Sequence, residues 1–257
     1  MKKYAGYLID LDGTIYQGTQ QIPAAKRFVE RLQSNNIPFL FVTNNSTKSP
    51  EDVVDNLKNN HDIQVNESNV YTSSQATADY LSEYNKLSNP TVYIIGESGL
   101  KNEILKQGFI FNDINPDYVI VGLDTDLTYN KLKKATLAIR NGAKFIGTNP
   151  DSNVPSEQGM IPGAGSLIQL IEYATNVSPI IIGKPESTVL NNALIKLGTD
   201  RDLTLVVGDN YHTDIQAAIN SKMDSLLVYT GLSKREEVTE ELVAPTYEID
   251  SLDDWEL

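Results

Sequence analysis

Asp10 and Asp12 stand two positions apart at the end of a short apolar run, Tyr4 to Ile9, with Gly13 directly behind them. A run of β-formers without alternation suits a strand buried on both faces of a parallel sheet. Two acids at its end would be a poor way to build a core. They read instead as a nucleophile and an acid/base, with Gly13 letting the backbone approach a ligand closely. Three further places fit the same pattern. Thr43-Asn44 follows the apolar stretch Ile37 to Val42, Lys184 follows Pro179 to Ile182, and Asp209 follows Leu203 to Val207. Carboxylates can hold a hard, oxygen-liganded Mg²⁺. A lysine and a hydroxyl can balance charge on a phosphate, and one carboxylate can attack it. Together these are the parts for phosphoryl transfer.

For such residues to meet, their strands must run parallel and end on one edge, which is where open α/β sheets bind ligands. Ala25, Phe28, Val29 and Leu32 predict a helix after a polar link from Ile15 to Pro23. Ser49-Pro50-Glu51-Asp52 opens another, with Val53, Val54 and Leu57 inward. The rhythm β-α-β-α is that of a doubly wound sheet. From about Val70 the organisation changes. Helices over Ala76–Tyr84, Tyr129–Asn141 and Ser166–Thr175 alternate with strands at Val92–Ile95, Asp117–Gly122 and Lys144–Gly147. A loop rich in Pro, Gly, Ser and Asn leads from Asp151 to Gly165. The last third resumes the first rhythm: a strand at Pro179–Ile182, a helix facing Val189, Leu190, Ala193, Leu194 and Leu197 inward, and a strand ending at Asp209. A helix over Thr213–Ser221, a strand at Ser225–Tyr229 and a short strand and helix around Tyr247–Trp255 complete it. The expected fold is α/β: a doubly wound, Rossmann-like parallel-sheet core from residues 1–75 and 179–257, interrupted by a smaller α/β domain at 76–178.

Asp10-Leu11-Asp12-Gly13-Thr14, Thr43-Asn44, Lys184-Pro185 and Gly208-Asp209 with Thr213-Asp214 resemble, in order, the four motifs of the haloacid dehalogenase-like (HAD) phosphohydrolases. Val42-Thr43-Asn44-Asn45-Ser46, Gly147-Thr148-Asn149-Pro150-Asp151 and Pro162-Gly163-Ala164-Gly165-Ser166 are similar to the NagD-type branch. The resemblance spans essentially the whole chain and implies a phosphomonoesterase. Asp10 would become an aspartyl phosphate, and Asp12 would protonate the leaving alcohol and then activate water. Thr43 and the backbone at Asn44 would hold phosphate oxygens, and Lys184 would neutralise charge. Mg²⁺ would sit on the Asp10 carboxylate, the Asp12 carbonyl and Asp209. Asp214 would orient a metal water or Lys184, although a first-turn acid meeting the helix dipole is an equal reading. More than half the chain separates Thr43 from Lys184, far beyond a crossover of about 30 residues. The insertion there corresponds to an α/β (type C2) cap, expected to roof the crevice and to favour a small phosphorylated metabolite. Thr148, Asn149 and Asp151 are candidates for a loop that discriminates substrates, or are only a turn and helix cap.

Composition narrows the field. Asp and Glu number 34 against 21 Lys and Arg, a formal net charge of −13, so neither nucleic acid nor an anionic membrane is expected as partner. Any anionic substrate must be attracted locally, by a metal or a placed lysine. No cysteine is present, which removes thiolate nucleophiles and zinc thiolate sites. Only His61 and His212 exist, too few for a His-rich centre; both are expected at the surface. The start Met1-Lys2-Lys3 looks like a signal segment, but Asp10 and Asp12 break the run that should follow. A soluble, cytoplasmic protein is expected; a homodimer stays open. Gly183-Lys184-Pro185 lacks the glycine and hydroxyl of a phosphate-binding P-loop, and Gly13 comes too early for a calcium loop. A phosphomutase remains as rival, as does a non-catalytic phosphate-binding or phospho-acceptor module.

Overall fold

A computed structural model describes residues 2–156 and 158–257. Met1 and Glu157, the latter in the loop expected before Gly165, lie outside the described residues. The chain divides into two compact units, one holding the residues up to Thr43, Pro50–Tyr71 and Lys184–Leu257, the other Asn44–Ser49 and Thr72–Gly183.

The first unit begins with strand β1 (Gly6–Ile9), buried along its whole length. The polar link from Ile15 to Pro23 contains a tight hairpin, β2 (Tyr16–Gln17) and β3 (Gln20–Gln21), turning at Gly18 with φ +57; two-residue turns of this kind favour glycine at positive φ. Helix α1 (Pro23–Ser34) buries Ala24, Ala25, Phe28, Val29 and Leu32, the face the sequence predicts. Strand β4 (Phe39–Thr43) is buried throughout. Helix α2 (Pro50–His61) carries Glu51 and Asp52 in its first turn, where the helix dipole favours acids, and buries Val53 and Leu57. Strand β5 (Val70–Thr72) ends this stretch.

The second unit opens with α3 (Ser73–Tyr84), whose Thr72 and Gln75 side chains form a reciprocal capping box. Strand β6 (Thr91–Ile95), helix α4 (Ser98–Lys106), strands β7 (Ile110–Phe111) and β8 (Tyr118–Val121), helix α5 (Tyr129–Arg140) and strand β9 (Lys144–Gly147) follow. The Pro- and Gly-rich loop contains an antiparallel hairpin, β10 (Asn153–Ser156) and β11 (Gly159–Pro162). Helix α6 (Ala164–Thr175) and strand β12 (Ile180–Ile181) close the unit. Five strands form a sheet of order β12-β9-β8-β6-β7, parallel at every pair. Ala135, Ile139, Leu167, Ile168 and Ile171 pack on it. This corrects the sequence reading at one strand. The apolar run Pro179–Ile182 belongs to this sheet, pairing Ile180 with Ile146 and Ile181 with Gly147. An apolar run does not reveal which sheet it joins, so the second unit extends to Gly183 rather than 178. It also begins earlier than 76, at Thr72, and takes in 44–49, because the Ser73 and Ser74 hydroxyls donate to the Asn44 and Ser46 carbonyls at 2.6 and 2.9 Å.

The chain then returns to the first unit through α7 (Ser187–Leu197), ended by Gly198 in the left-handed region. Strand β13 (Thr204–Gly208), helix α8 (Gln216–Asn220), strand β14 (Asp224–Val228), helix α9 (Arg235–Val238) and strand β15 (Tyr247–Ile249) follow. The helix expected from Thr213 opens instead as a wide π-turn over Tyr211–Ile215. The six-stranded sheet has the order β15-β14-β13-β1-β4-β5. β1 is central and runs parallel to both β4 and β13. The strand order therefore reverses at β1, and the carboxyl ends of β1 and β13 border the crevice such a reversal opens.

The C-terminal tail locks this core. Trp255 is 1 % exposed, its indole N–H donates to the Tyr7 hydroxyl at 3.1 Å, and Arg31 donates to the Trp255 and Leu252 carbonyls at 2.7 and 2.6 Å. Trp255→Ala is expected to cost about 3–5 kcal/mol, from lost burial and the cavity left behind. The urea midpoint followed by circular dichroism reads this out. Trp255→Phe should lose about 1–2 kcal/mol, since it keeps most of the packing and gives up the hydrogen bond.

Candidate active site

Asp10 directly follows β1, and its N–H donates to the Val207 carbonyl at 2.8 Å, extending the β1–β13 ladder by one step. Asp209 directly follows β13, and Thr43 is the last residue of β4. Lys184 comes from no strand of this sheet; it is the first residue of the first unit after β12. Its side chain is 4 % exposed, and its ammonium donates to Asp10 Oδ1 at 2.6 Å, Asp214 Oδ1 at 2.6 Å and the Val42 carbonyl at 2.9 Å. Asp214 is set by the π-turn, and its other oxygen accepts the Asn210 N–H at 3.1 Å. Asp214 thus faces Lys184.

Asp209 is 1 % exposed and accepts from the Thr14 hydroxyl at 3.1 Å and the Leu232 N–H at 2.8 Å. Its carboxylate packs against Gly13, held at φ +94, where a Cβ would come within 2.3 Å of Oδ2. Gly13 is needed twice over, for its backbone and for this approach. Thr14 and the Leu232 N–H were not singled out from sequence. Thr14 stood inside the motif without a role, and a backbone donor leaves no signal in residue types.

Oxygens of Asp10, Asp209 and Asp214 lie within 4.8 Å of one another. Three carboxylates against one ammonium leave an excess of two negative charges, and burial sharpens the imbalance. Burial pushes the Asp10 carboxyl well above the usual carboxylate range; Lys184 pulls it back, and Asp214 and Asp209 push it further. Asp209 rises from 3.8 to about 6, through burial and then Asp214, against the Leu232 N–H, Thr14 and Lys184. Burial works against charge on Lys184, but Asp10 and Asp214 outweigh it and raise its pKa. Oxygen donors with two surplus charges fit a hard divalent cation.

Asp12 is exposed and turned to the hairpin, where its Oδ1 accepts the Gly18 N–H at 3.0 Å. Thr43 is buried at the sheet edge. Asn44 belongs to the second unit, where its amide donates to both Asp151 oxygens at 3.0 and 3.2 Å. The Asn149 amide donates to the Asn44 carbonyl at 2.8 Å. Thr148 and Asn149 are buried within that unit, and Asp151 is half-buried. His212 is exposed, as expected. His61 is not: it is 2 % exposed, covered by the Tyr16 ring from β2. No helix among the described residues is long and apolar enough to cross a membrane.

Residues 7–110 match the family model of the haloacid dehalogenase-like hydrolases, and residues 181–255 match a second, HAD-hydrolase-like model. The 5'-nucleotidase YutF of Bacillus subtilis is 49 % identical over 99 % of this chain and 98 % of its own length. The acid sugar phosphatase of Staphylococcus aureus is 47 % identical over 99 % and 97 %. The structure of NagD from Escherichia coli K-12 superposes with a TM-score of 0.92 at 29 % identity, covering 99 % of each chain. The chain belongs to the haloacid dehalogenase-like hydrolases. Within them its place is with the NagD-type phosphatases, which makes it a phosphoric monoester hydrolase.

Proposed function

We propose that the protein hydrolyses small phosphate monoesters, sugar or sugar-acid phosphates, through an aspartyl phosphate on Asp10 and with Mg²⁺. The observation that carries the reading is the Lys184 ammonium held between Asp10 and Asp214 beside Asp209. Asp10, Asp209 and the Asp12 carbonyl would hold the cation, which supplies charge neutralisation for the incoming phosphate. Asp10 attacks phosphorus with a carboxylate oxygen. The ester P–O bond breaks, its electron pair leaves on the alcohol oxygen, and the Asp12 carboxyl gives that oxygen a proton. Asp12, now a carboxylate, takes a proton from water, whose oxygen attacks the same phosphorus. The bond to Asp10 breaks, and inorganic phosphate departs. Lys184 balances charge on the transferring group, and Thr43 donates to a phosphate oxygen. Asp214 holds Lys184 beside the attacking carboxylate of Asp10.

The relatives bear the names of a nucleotidase and of a sugar phosphatase, so the panel that tests this reading must contain both substrate types. Hydrolysis of p-nitrophenyl phosphate should fall about 100-fold or more in a chelator and return with Mg²⁺. Turnover of sugar phosphates should exceed that of nucleoside monophosphates. Activity indifferent to the chelator would remove the metal from the mechanism, and preference for nucleotides would replace the substrate class.

A further inference from the structure

His61 ends α2, and its ring lies flat on that of Tyr16, with centroids 4.4 Å apart and planes 12° apart. Both ring nitrogens are buried without a hydrogen-bond partner, a costly arrangement for a polar ring. Burial holds its pKa below the usual value, against the pull of the Asp12 charge. A neutral ring without hydrogen bonds acts through its face.

What that face holds is the loop that carries Asp12. The Tyr16 carbonyl accepts the Gly13 N–H at 2.6 Å, and the Tyr16 N–H donates to the Leu11 carbonyl at 3.2 Å. Asp12 and Tyr16 form a β-bridge, and two residues on from Tyr16 the Gly18 N–H grips the Asp12 carboxylate at 3.0 Å. The other hairpin strand is tied to the same helix end, since the Gln21 amide donates to the Asn60 carbonyl at 2.8 Å. The C-terminus of α2 therefore clamps both strands of the hairpin. Burial first, then the charges of Asp12 and Asp10, raise the Tyr16 pKa, so the second ring of the stack is uncharged too.

We propose that His61 is a positioning residue for Asp12: its ring, stacked on Tyr16, fixes the hairpin that aims the Asp12 carboxyl at the leaving oxygen. This rests on the acid/base role proposed above for Asp12. Proton donation matters most where the leaving group is a strong base. A p-nitrophenolate departs with little help, whereas an alkoxide needs the proton.

The test compares kcat/KM, which reports the steps through departure of the leaving group, for p-nitrophenyl phosphate and glycerol phosphate. His61→Ala should lose about 10- to 100-fold on the alkyl ester, a part of what general acids contribute, and about threefold or less on the aryl ester. His61→Phe keeps a flat ring and should stay near wild type on both. Tyr16→Leu breaks the stack from the other side and should behave like His61→Ala, which covers the case where one variant fails to fold. An equal loss on both esters, or a His61→Phe protein as impaired as His61→Ala, would overturn the proposal. Asp12→Asn separates the two readings. Should it show no leaving-group dependence, the acid/base role itself falls; should it show one that His61→Ala and Tyr16→Leu lack, only the positioning role falls.

Discussion

Asp10→Asn protein should turn over p-nitrophenyl phosphate at least about 10⁴-fold more slowly than wild type, the scale seen when a nucleophile is removed. The amide is nearly isosteric but offers no charged oxygen, so no aspartyl phosphate can form. The loss should not come from unfolding. Lys184 keeps Asp214 at 2.6 Å and the Val42 carbonyl at 2.9 Å, and burial already disfavours charge at position 10. The metal-free variant should therefore melt at or slightly above the wild-type temperature. Wild type quenched in acid during turnover should carry one phosphate on the peptide containing Asp10, and the variant none. Undiminished activity in Asp10→Asn would mean that the nucleophile is misassigned, and with it the roles built around it.

The strand-end residues were legible because a buried parallel strand leaves a plain signature, an apolar run cut by a polar residue. Asp10, Thr43 and Asp209 sit at the ends of β1, β4 and β13 on that account. Lys184 was found by type, but its setting was misread. The run before it is as apolar as a core strand, and only its pairing with β9 shows that it serves the other sheet. Hairpins β2–β3 and β10–β11 are too short to give a period. Burial of His61 was hidden for a similar reason. A polar residue at a helix end reads as solvated, and the Tyr16 ring that covers it comes from a short hairpin whose geometry the residue pattern does not set. Asp214 was placed by a π-turn; a periodicity argument assumes α-helical spacing and misses such a turn.

Lys184→Met should be the most destabilising change in the site. The ammonium is almost fully buried and carries the positive charge facing Asp10 and Asp214. Breaking a buried ion pair from one side leaves uncompensated charge and costs about 3–5 kcal/mol. The deficit should depend on pH in a defined direction. Asp209 titrates at about 6 in the fold against an ordinary 3.8, and Asp10 is raised as well. An acid with a raised folded pKa keeps a proton that the unfolded chain has already lost. Stability from such groups is therefore greatest at low pH and declines as pH climbs from the ordinary value to the folded one. Lys184 pulls both acids down, so removing it lifts them further and extends the decline towards neutrality. Lys184 itself, with a raised pKa, stays charged throughout this range in wild type. In chelator, the melting-temperature gap between Lys184→Met and wild type should accordingly be wide at pH 7.5 and narrow at pH 5. A gap of equal size at both would assign the loss to packing of the methylene stem rather than to charge. Activity should fall about 10³-fold as well, because the charge developing on the transferring phosphoryl group loses its fixed counter-charge. If Mg²⁺ restored stability in this variant but not turnover, the two duties of the lysine, balancing the resting carboxylates and balancing the reacting phosphate, would be separated in one protein.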